Sequence, residues 1–313
     1  MEYLLLILGL ATLIAGGELL VRGAVGIALK AKVPSVIVGL TIVSFGTSAP
    51  ELIISLQAVM SNNPDISVGN VIGSNIANLG LVLGLTAVIL PLPFEKSILR
   101  KDWPYMMASS ILLWLFLLDN ELSFLEGFFL LLGLLVYIIF MIRRAKSGRI
   151  PLSVLDDVED LSQSKGKPYW SLFLLLILAS VGLHFGSDWF LDGDMQIASN
   201  FGLSDRVIGV TIVAFGTSTP ELAASVIAAA KKEMDISLGN LVGSNIFNIL
   251  SVLGITAIVK PLAVSQETLD FDIYWMLGVA LILLPFMLLG KKISRLHGAI
   301  LLAIYILYIY FVL

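Results

Sequence analysis

Residues 41–91 align with residues 211–261 without a gap, at a constant offset of 170, and more than half of the aligned positions are identical. Phe-Gly-Thr-Ser-Ala-Pro-Glu at 45–51 answers Phe-Gly-Thr-Ser-Thr-Pro-Glu at 215–221. Asp65-Ile66-Ser67 answers Asp235-Ile236-Ser237, and Gly73-Ser74-Asn75-Ile76-Ala77-Asn78 answers Gly243-Ser244-Asn245-Ile246-Phe247-Asn248. More weakly, Glu18 answers Asp188. A chain that carries one unit twice must fold into an architecture with room for both copies. Shared packing explains repeated glycines and small residues. It does not explain an identical Glu appearing twice inside an apolar stretch.

The apolar stretches set the solvent. The chain is 58% hydrophobic and 13% charged, against roughly 45–50% and about 25% in soluble domains. Long apolar runs such as 128–142, 172–181 and 277–289 suit a hydrocarbon core of about 30 Å, which needs helices of about 17–25 residues. The pattern predicts an all-α membrane protein with ten transmembrane helices, at roughly 3–29, 36–60, 68–90, 103–118, 123–143, 170–192, 206–230, 237–259, 273–289 and 296–312. The apolar start lacks a positively charged leader and runs on into Glu18 and Arg22, so it reads as the first membrane helix and not as a signal peptide. Two five-helix repeats result, 1–143 and 170–313, joined by a polar linker at 144–169. An odd helix count inverts the second repeat relative to the first. With both termini outside, sixteen of the nineteen Lys and Arg fall inside, so the linker is expected to be cytoplasmic. Inverted repeats in one chain are a mark of transporters, with the substrate site near the midplane where the copies meet. There is no cysteine, which excludes disulfides, iron–sulfur clusters and thiolate zinc sites.

Glu51 and Glu221 fall near the middle of the second and seventh expected helices. A carboxylate at that depth costs at least about 2.5–3.5 kcal/mol. No Lys or Arg lies nearby in sequence, so a bound cation is the natural counter-charge. The surroundings sharpen that reading. Pro50 has no N–H, which removes the helical partner of the Gly46 carbonyl, and Pro220 does the same to Gly216. Irregular backbone at membrane depth survives only where it lines a cavity or is buried in protein. Thr47, Ser48, Thr217 and Ser218 add hydroxyls beside the breaks.

The third and eighth helices place Ser74 four residues from Asn78 and Ser244 four residues from Asn248, each pair on one helix face. Glycines at 69, 73, 239 and 243 have the spacing of close helix packing. Asn75 and Asn245 point to another face and read as mainly structural. Two carboxylates, several hydroxyls, two amides and freed carbonyls make a hard, all-oxygen site. Such a site suits Ca²⁺, which takes 6–8 oxygens in flexible geometry, and Na⁺ accepts the same atoms. Mg²⁺ is disfavoured by its retained waters and strict octahedral geometry. Softer metals would want His, Cys or Met ligands.

Gly-Thr-Ser-x-Pro-Glu followed by Gly-Ser-Asn-Ile-x-Asn, occurring in both halves, resembles the cation/Ca²⁺ exchanger superfamily, and within it the prokaryotic Na⁺/Ca²⁺ exchangers. The resemblance spans nearly the whole chain. It implies a ten-helix inverted-repeat fold and alternating access by sliding of the first and sixth helices over the other eight. It implies Glu51 and Glu221 as central Ca²⁺ ligands, with Thr47 and Thr217 contributing chiefly backbone carbonyls. It also implies Ser48, Ser74, Asn78, Ser218, Ser244 and Asn248 as ligands completing the Na⁺ and Ca²⁺ sites, with carbonyls from Ser44 and Ala214. Some relatives, including K⁺-dependent ones, carry Asp where this chain has Asn248, so K⁺ coupling is not expected. The linker is too short for the regulatory Ca²⁺-binding domains of animal exchangers.

The expected activity is therefore electrogenic Ca²⁺/Na⁺ antiport in a cell membrane by a multi-pass protein. Its partners would be membrane lipid and the transported ions, with no cofactor and no nucleic acid, and a monomer would suffice. A Ca²⁺/H⁺ antiporter of the same fold is the alternative, since a desolvated Glu can titrate near neutral pH. The proton-coupled branch, however, resembles Gly-Asn-x-x-Glu where this chain has Thr-Ser-x-Pro-Glu. A passive channel would need a continuous pore. An enzyme is not expected, because His184 and His297 lack metal-ligand or triad spacing.

Overall fold

The computed structural model describes residues 2–31, 33–60, 64–147, 168–200, 216 and 218–312. The chain opens with α1 (Glu2–Ala31), whose 30 residues outrun the thickness of a hydrocarbon core. The next span is broken. A turn of α2 (Ser35–Val38) widens into a π-helical turn at Gly39–Val43 and continues as α3 (Ser44–Thr47). After Ser48 the path bends by 40° into α4 (Ala49–Met60). Then α5 (Pro64–Ala77), a π turn at Asn78–Val82 and α6 (Leu83–Ile89) form one continuous span. A short strand β1 (Leu92–Pro93) and a π turn at Ile98–Asp102 lead to α7 (Trp103–Phe116), β2 (Glu121–Leu122) and α8 (Phe124–Ser147).

The second half repeats this order. α9 (Tyr169–Asn200) is followed by α10 (Thr219–Ala230), α11 (Met234–Phe247), a π turn at Asn248–Leu253 and α12 (Gly254–Val259). β3 (Leu262–Ala263), a π turn at Thr268–Asp272, α13 (Ile273–Leu289), β4 (Lys292–Ile293) and α14 (Arg295–Val312) complete it. The expected linker starts late, because α8 carries helix to Ser147. Most of the linker, and residues 206–215 of the expected seventh span, lie outside the described residues.

Among the described residues seven helical stretches are long and apolar enough to cross a membrane, and eight if the bent pair counts as one span. The two remaining expected spans coincide with α7, of 14 residues, and α10, of 12 residues. α7 falls short because Arg100, Lys101 and Asp102 precede it and Asp119 follows it. The outer faces are apolar: Phe128, Leu132 and Leu135 on α8 and Phe173, Ile177 and Val181 on α9 are exposed. Polar side chains, by contrast, collect inside. This inversion of the soluble pattern is what a lipid solvent imposes.

Two antiparallel ladders tie the halves together. β1 pairs with β4, placing Leu92 opposite Ile293, and β2 pairs with β3, placing Leu122 opposite Leu262. The repeat offset carries β1 onto β3, and an offset of 171 carries β2 onto β4. The two ladders therefore exchange with each other when the halves are exchanged. Each ladder is two residues long and can join only loops on the same membrane face. With ten spans at the expected bounds, 92–93 and 292–293 share one membrane face, and 121–122 and 262–263 share the other.

The interior divides in two. One apolar cluster runs through α1, α9 and the neighbouring faces of α10 and the first π turn, with Leu13, Leu20, Leu176 and Leu183 among its members. A larger one holds α5–α8 and α11–α14, including Ile72, Met106, Leu250 and Leu283. α1 and α9 pack along each other closely enough that a Cβ on Gly16 would sit 3.1 Å from Leu183 N.

Candidate ion-binding site

The break between α3 and α4 and the start of α10 have nearly the same backbone: Ser48 sits at φ −85°, ψ 4°, and Ser218 at φ −88°, ψ 2°. Each Ser precedes Glu by three positions, the spacing of a capping box, in which the Glu side chain would reach back to the Ser N–H. The structure does not use it. The Ser48 N–H donates to Ser44 O at 2.9 Å, so Glu51 is not needed as a cap. Glu51 and Glu221 are both 0% exposed. They stand in the first turn of α4 and α10, where the helix dipole favours negative charge.

Neither oxygen of Glu51 finds a hydrogen-bond partner on another described residue, and neither does Glu221 Oε2. Glu221 Oε1 accepts from Ser48 Oγ at 3.4 Å, across the two halves. Among the described residues the ion pairs are Glu18 with Arg22 and Lys231, Asp102 with Arg144, and His184 with Asp188. None of them reaches Glu51 or Glu221. Asp102 is just as buried, but Arg144 Nη1 donates to it at 2.6 Å. The equivalent Asp272 accepts from Tyr308 OH at 2.9 Å. Among the described residues Asp102 thus has a basic partner, whereas neither buried glutamate does.

Elements that carry other expected ligands pack against the glutamate helices: Asn78–Val82 contacts α10, and Asn248–Leu253 contacts α4. Asn78 begins the π turn after α5 and Asn248 begins the one after α11. Both amide atoms of Asn78, Asn248 Oδ1 and Ser218 Oγ are buried without hydrogen-bond partners among the described residues. Leaving such a group unsatisfied costs about 1–3 kcal/mol, so these atoms are candidates to hold an ion. Ser74 and Ser244 are fully buried. Thr47 Oγ1 donates to Asn240 Oδ1 at 3.1 Å and lies 3.3 Å from Ser244 Oγ. The Ser44 carbonyl already accepts Ser48 N–H and, at 3.3 Å, Thr47 Oγ1. Its hydroxyl is bonded to Gly39 O at 2.7 Å and Asn240 O at 3.0 Å. Ala214 and Thr217 lie outside the described residues.

Three features differ from the sequence reading or were absent from it. The Gly216 carbonyl, expected to be freed by Pro220, accepts Thr219 Oγ1 at 2.7 Å; Ala49 at the equivalent position has no hydroxyl to do the same for Gly46. Asn70 and Asn240 brace the glutamate helices, donating to Ser55 Oγ at 3.3 Å and Ser225 Oγ at 3.1 Å. Those four residues recur at the repeat offset, a signal that could have identified them. The π turns were not anticipated either, although such turns often mark functional positions. The packing reading holds for Gly239 and Gly243, a Cβ on Gly239 lying 2.8 Å from Val36 O, whereas a Cβ on Gly69 or Gly73 meets no described atom within 4 Å. The segment equivalent to 36–44 in the second half lies outside the described residues. His184 lies 3.6 Å from Asp188, and His297 stacks on Phe286 and accepts the Ser294 N–H at Nδ1.

The chain is similar to known proteins over nearly its full length. The family model described as sodium/calcium exchanger protein matches residues 1–143 and 171–313. The putative antiporter CaxA of Alkalimonas amylolytica is 38% identical over 307 residues, covering 97% of this chain and 96% of that protein. The sodium/calcium exchanger MaX1 of Methanosarcina acetivorans is 33% identical over 345 residues, covering 98% and 97%. Among solved structures, the sodium-calcium exchanger NCX_Mj soaked with 100 mM Na⁺ and 10 mM Sr²⁺ superposes with a TM-score of 0.83 at 32% identity, covering 99% of this chain and 97% of that one.

Proposed function

This chain belongs to the sodium/calcium exchanger protein family, and on that premise we propose that it is a secondary antiporter exchanging Ca²⁺ for Na⁺ by alternating access, with net charge moved per cycle. Cation/Ca²⁺ exchange by a multi-pass membrane protein is what the family supplies. The finer assignments are ours. Glu51 and Glu221 supply two negative charges that one Ca²⁺ neutralises. Ser48, Ser74, Asn78, Ser218, Ser244 and Asn248, with carbonyls of Ser44, Thr47, Ala214 and Thr217, complete a set of oxygen sites for Ca²⁺ or for several Na⁺. The observation that carries the reading is the pair of fully buried glutamates with unpartnered oxygens and no basic residue bonded to either among the described residues.

Ten spans in two inverted repeats, 1–143 and 170–313 with a cytoplasmic linker between, are supported by the exchange of the two strand ladders and by the matching breaks at Ser48 and Ser218. The separate apolar cluster of α1 and α9 supports their movement as one body over the rest. One protomer contains every proposed ligand, so a monomer suffices. Ca²⁺ and Na⁺ are its cargo, and no cofactor or enzymatic step is invoked.

The test is ⁴⁵Ca²⁺ uptake into proteoliposomes under outward Na⁺, K⁺ or H⁺ gradients in turn. Uptake driven by Na⁺ alone is expected. Uptake that follows the H⁺ gradient and ignores Na⁺ would replace this reading with Ca²⁺/H⁺ antiport, and a linear, non-saturating flux without any gradient would indicate a channel.

A further inference from the structure

The two halves present the same Gly-Ser-Asn-Ile-x-Asn sequence, yet their asparagines are bonded differently. Asn248 Nδ2 donates to Asn75 Oδ1 at 3.1 Å, and Asn75 Nδ2 donates to the backbone carbonyl of Asn245 at 3.4 Å and approaches Met276 Sδ at 3.7 Å. In the mirror position Asn245 Nδ2 turns into its own helix and donates to Leu241 O at 2.7 Å. Asn78, the mate of Asn248, has no partner for either amide atom among the described residues.

We propose that Asn75 is a positioning residue for the ion site, fixing the Asn248 amide in one orientation, and that its counterpart Asn245 has no such role toward Asn78. The proposal rests on the reading of Asn248 as an ion ligand. The reasoning is one of polarity. A backbone carbonyl can only accept. Asn75 must therefore show its NH₂ to Asn245 O and its oxygen to Asn248. Asn248 must in turn show its NH₂ to Asn75, which leaves Oδ1 as its only uncommitted acceptor. That atom is buried and has no hydrogen-bond partner among the described residues. Reversing the Asn248 amide would set oxygen against oxygen, and reversing both amides would do the same at Asn245 O. Asn248 thus offers a cation a carbonyl oxygen already turned away from its helper, whereas Asn78 can present either end. Partners that orient ligands in this way typically change metal affinity by about 10–100-fold when removed.

The experiment measures equilibrium ⁴⁵Ca²⁺ binding to the purified full-length protein. Asn75→Ala is expected to weaken binding about 10–100-fold, while Asn245→Ala stays within about threefold. Because Asn75 acts through Asn248, Asn75→Ala should add little once Asn248→Ala is present, as residues sharing one hydrogen-bond network are non-additive. Asn75→Asp keeps the acceptor for Asn248 Nδ2 and, in its protonated form, a donor toward Asn245 O; it should retain tight binding, and it serves as the readout if the alanine variant does not fold. Equal losses in Asn75→Ala and Asn245→Ala would overturn the proposal. So would full additivity with Asn248→Ala, or a loss in Asn75→Asp as large as in Asn75→Ala. Glu51→Gln is measured alongside; if it binds Ca²⁺ as wild type does, the ion-site reading itself fails, which is a different outcome from failure at Asn75 alone.

Discussion

Replacing Gly243 by Ala tests whether the close approach of α11 to the first π turn builds the site. A Cβ there would overlap Ser44 Oγ and lie 2.8 Å from Leu40 O and 2.9 Å from Leu40 Cα. The Ser44 hydroxyl could rotate away, but its single proton would abandon the bond it shares between Gly39 O and Asn240 O, worth about 0.5–1.5 kcal/mol. The Leu40 backbone has no rotation to offer, so the two segments must separate, and overpacking of this kind costs about 1–3 kcal/mol. The total is about 1.5–4.5 kcal/mol. The contacts of Thr47 with Asn240 and Ser244 cross the same interface, so transport should fall with stability. Gly278→Ala is the control, since no described atom lies within 4 Å of a Cβ there; in a helix interior it should be neutral or stabilising by up to about 1 kcal/mol. Thermal unfolding of the purified variants and ⁴⁵Ca²⁺ uptake after reconstitution measure both effects. A Gly243→Ala protein as stable and active as Gly278→Ala would refute the reasoning.

Three further outcomes are expected. If three Na⁺ exchange for one Ca²⁺, one net charge crosses per cycle, worth about 2.3 kcal/mol per 100 mV, or a roughly fifty-fold shift in the Ca²⁺ end point. An inside-positive potential set with K⁺ and valinomycin should then accelerate Na⁺-driven uptake, and indifference to voltage would mean electroneutral exchange. Ser162→Cys, the only thiol in its chain, should resist an impermeant external reagent in cells; external labelling would reverse the topology. Arg144→Ala strands the buried Asp102 carboxylate and should destabilise by about 3–5 kcal/mol, whereas Lys231→Ala, which breaks the part-exposed 2.8 Å pair with Glu18, should change stability by less than about 1 kcal/mol. Thermal unfolding of the two variants separates these cases.

The repeat made much of this legible. A charged residue in lipid is expensive enough that its recurrence at one offset singles out Glu51 and Glu221 as candidate ligands, and the same offset aligns the proposed Ser and Asn ligands. Other features left weaker traces. A π turn adds one residue to a helical turn without any composition of its own, so Gly39–Val43, Asn78–Val82 and Asn248–Leu253 read as ordinary helix. A two-residue ladder is too short to show strand periodicity. The shortness of α7 followed from the charges around it, which the apolar run from Met106 to Leu118 outweighed. The differing bonds of Asn75 and Asn245 could not be read from identical motifs, because what separates them is tertiary: Asn75 reaches across to Asn245 O and Met276. Thr219 against Ala49 was visible in the sequence, and its hydroxyl decides which of the two glycine carbonyls is capped.

The central claim is that Glu51 and Glu221 jointly hold one Ca²⁺ at a site that Na⁺ also occupies. Equilibrium ⁴⁵Ca²⁺ binding to the purified protein, titrated with Na⁺, tests it directly in wild type, Glu51→Gln and Glu221→Gln. The account predicts one saturable Ca²⁺ per wild-type chain, displaced by Na⁺ with a Hill slope above one, and loss of that binding in either variant while the protein remains folded. Ca²⁺ bound equally well by a glutamine variant, or not displaced by Na⁺, would contradict it.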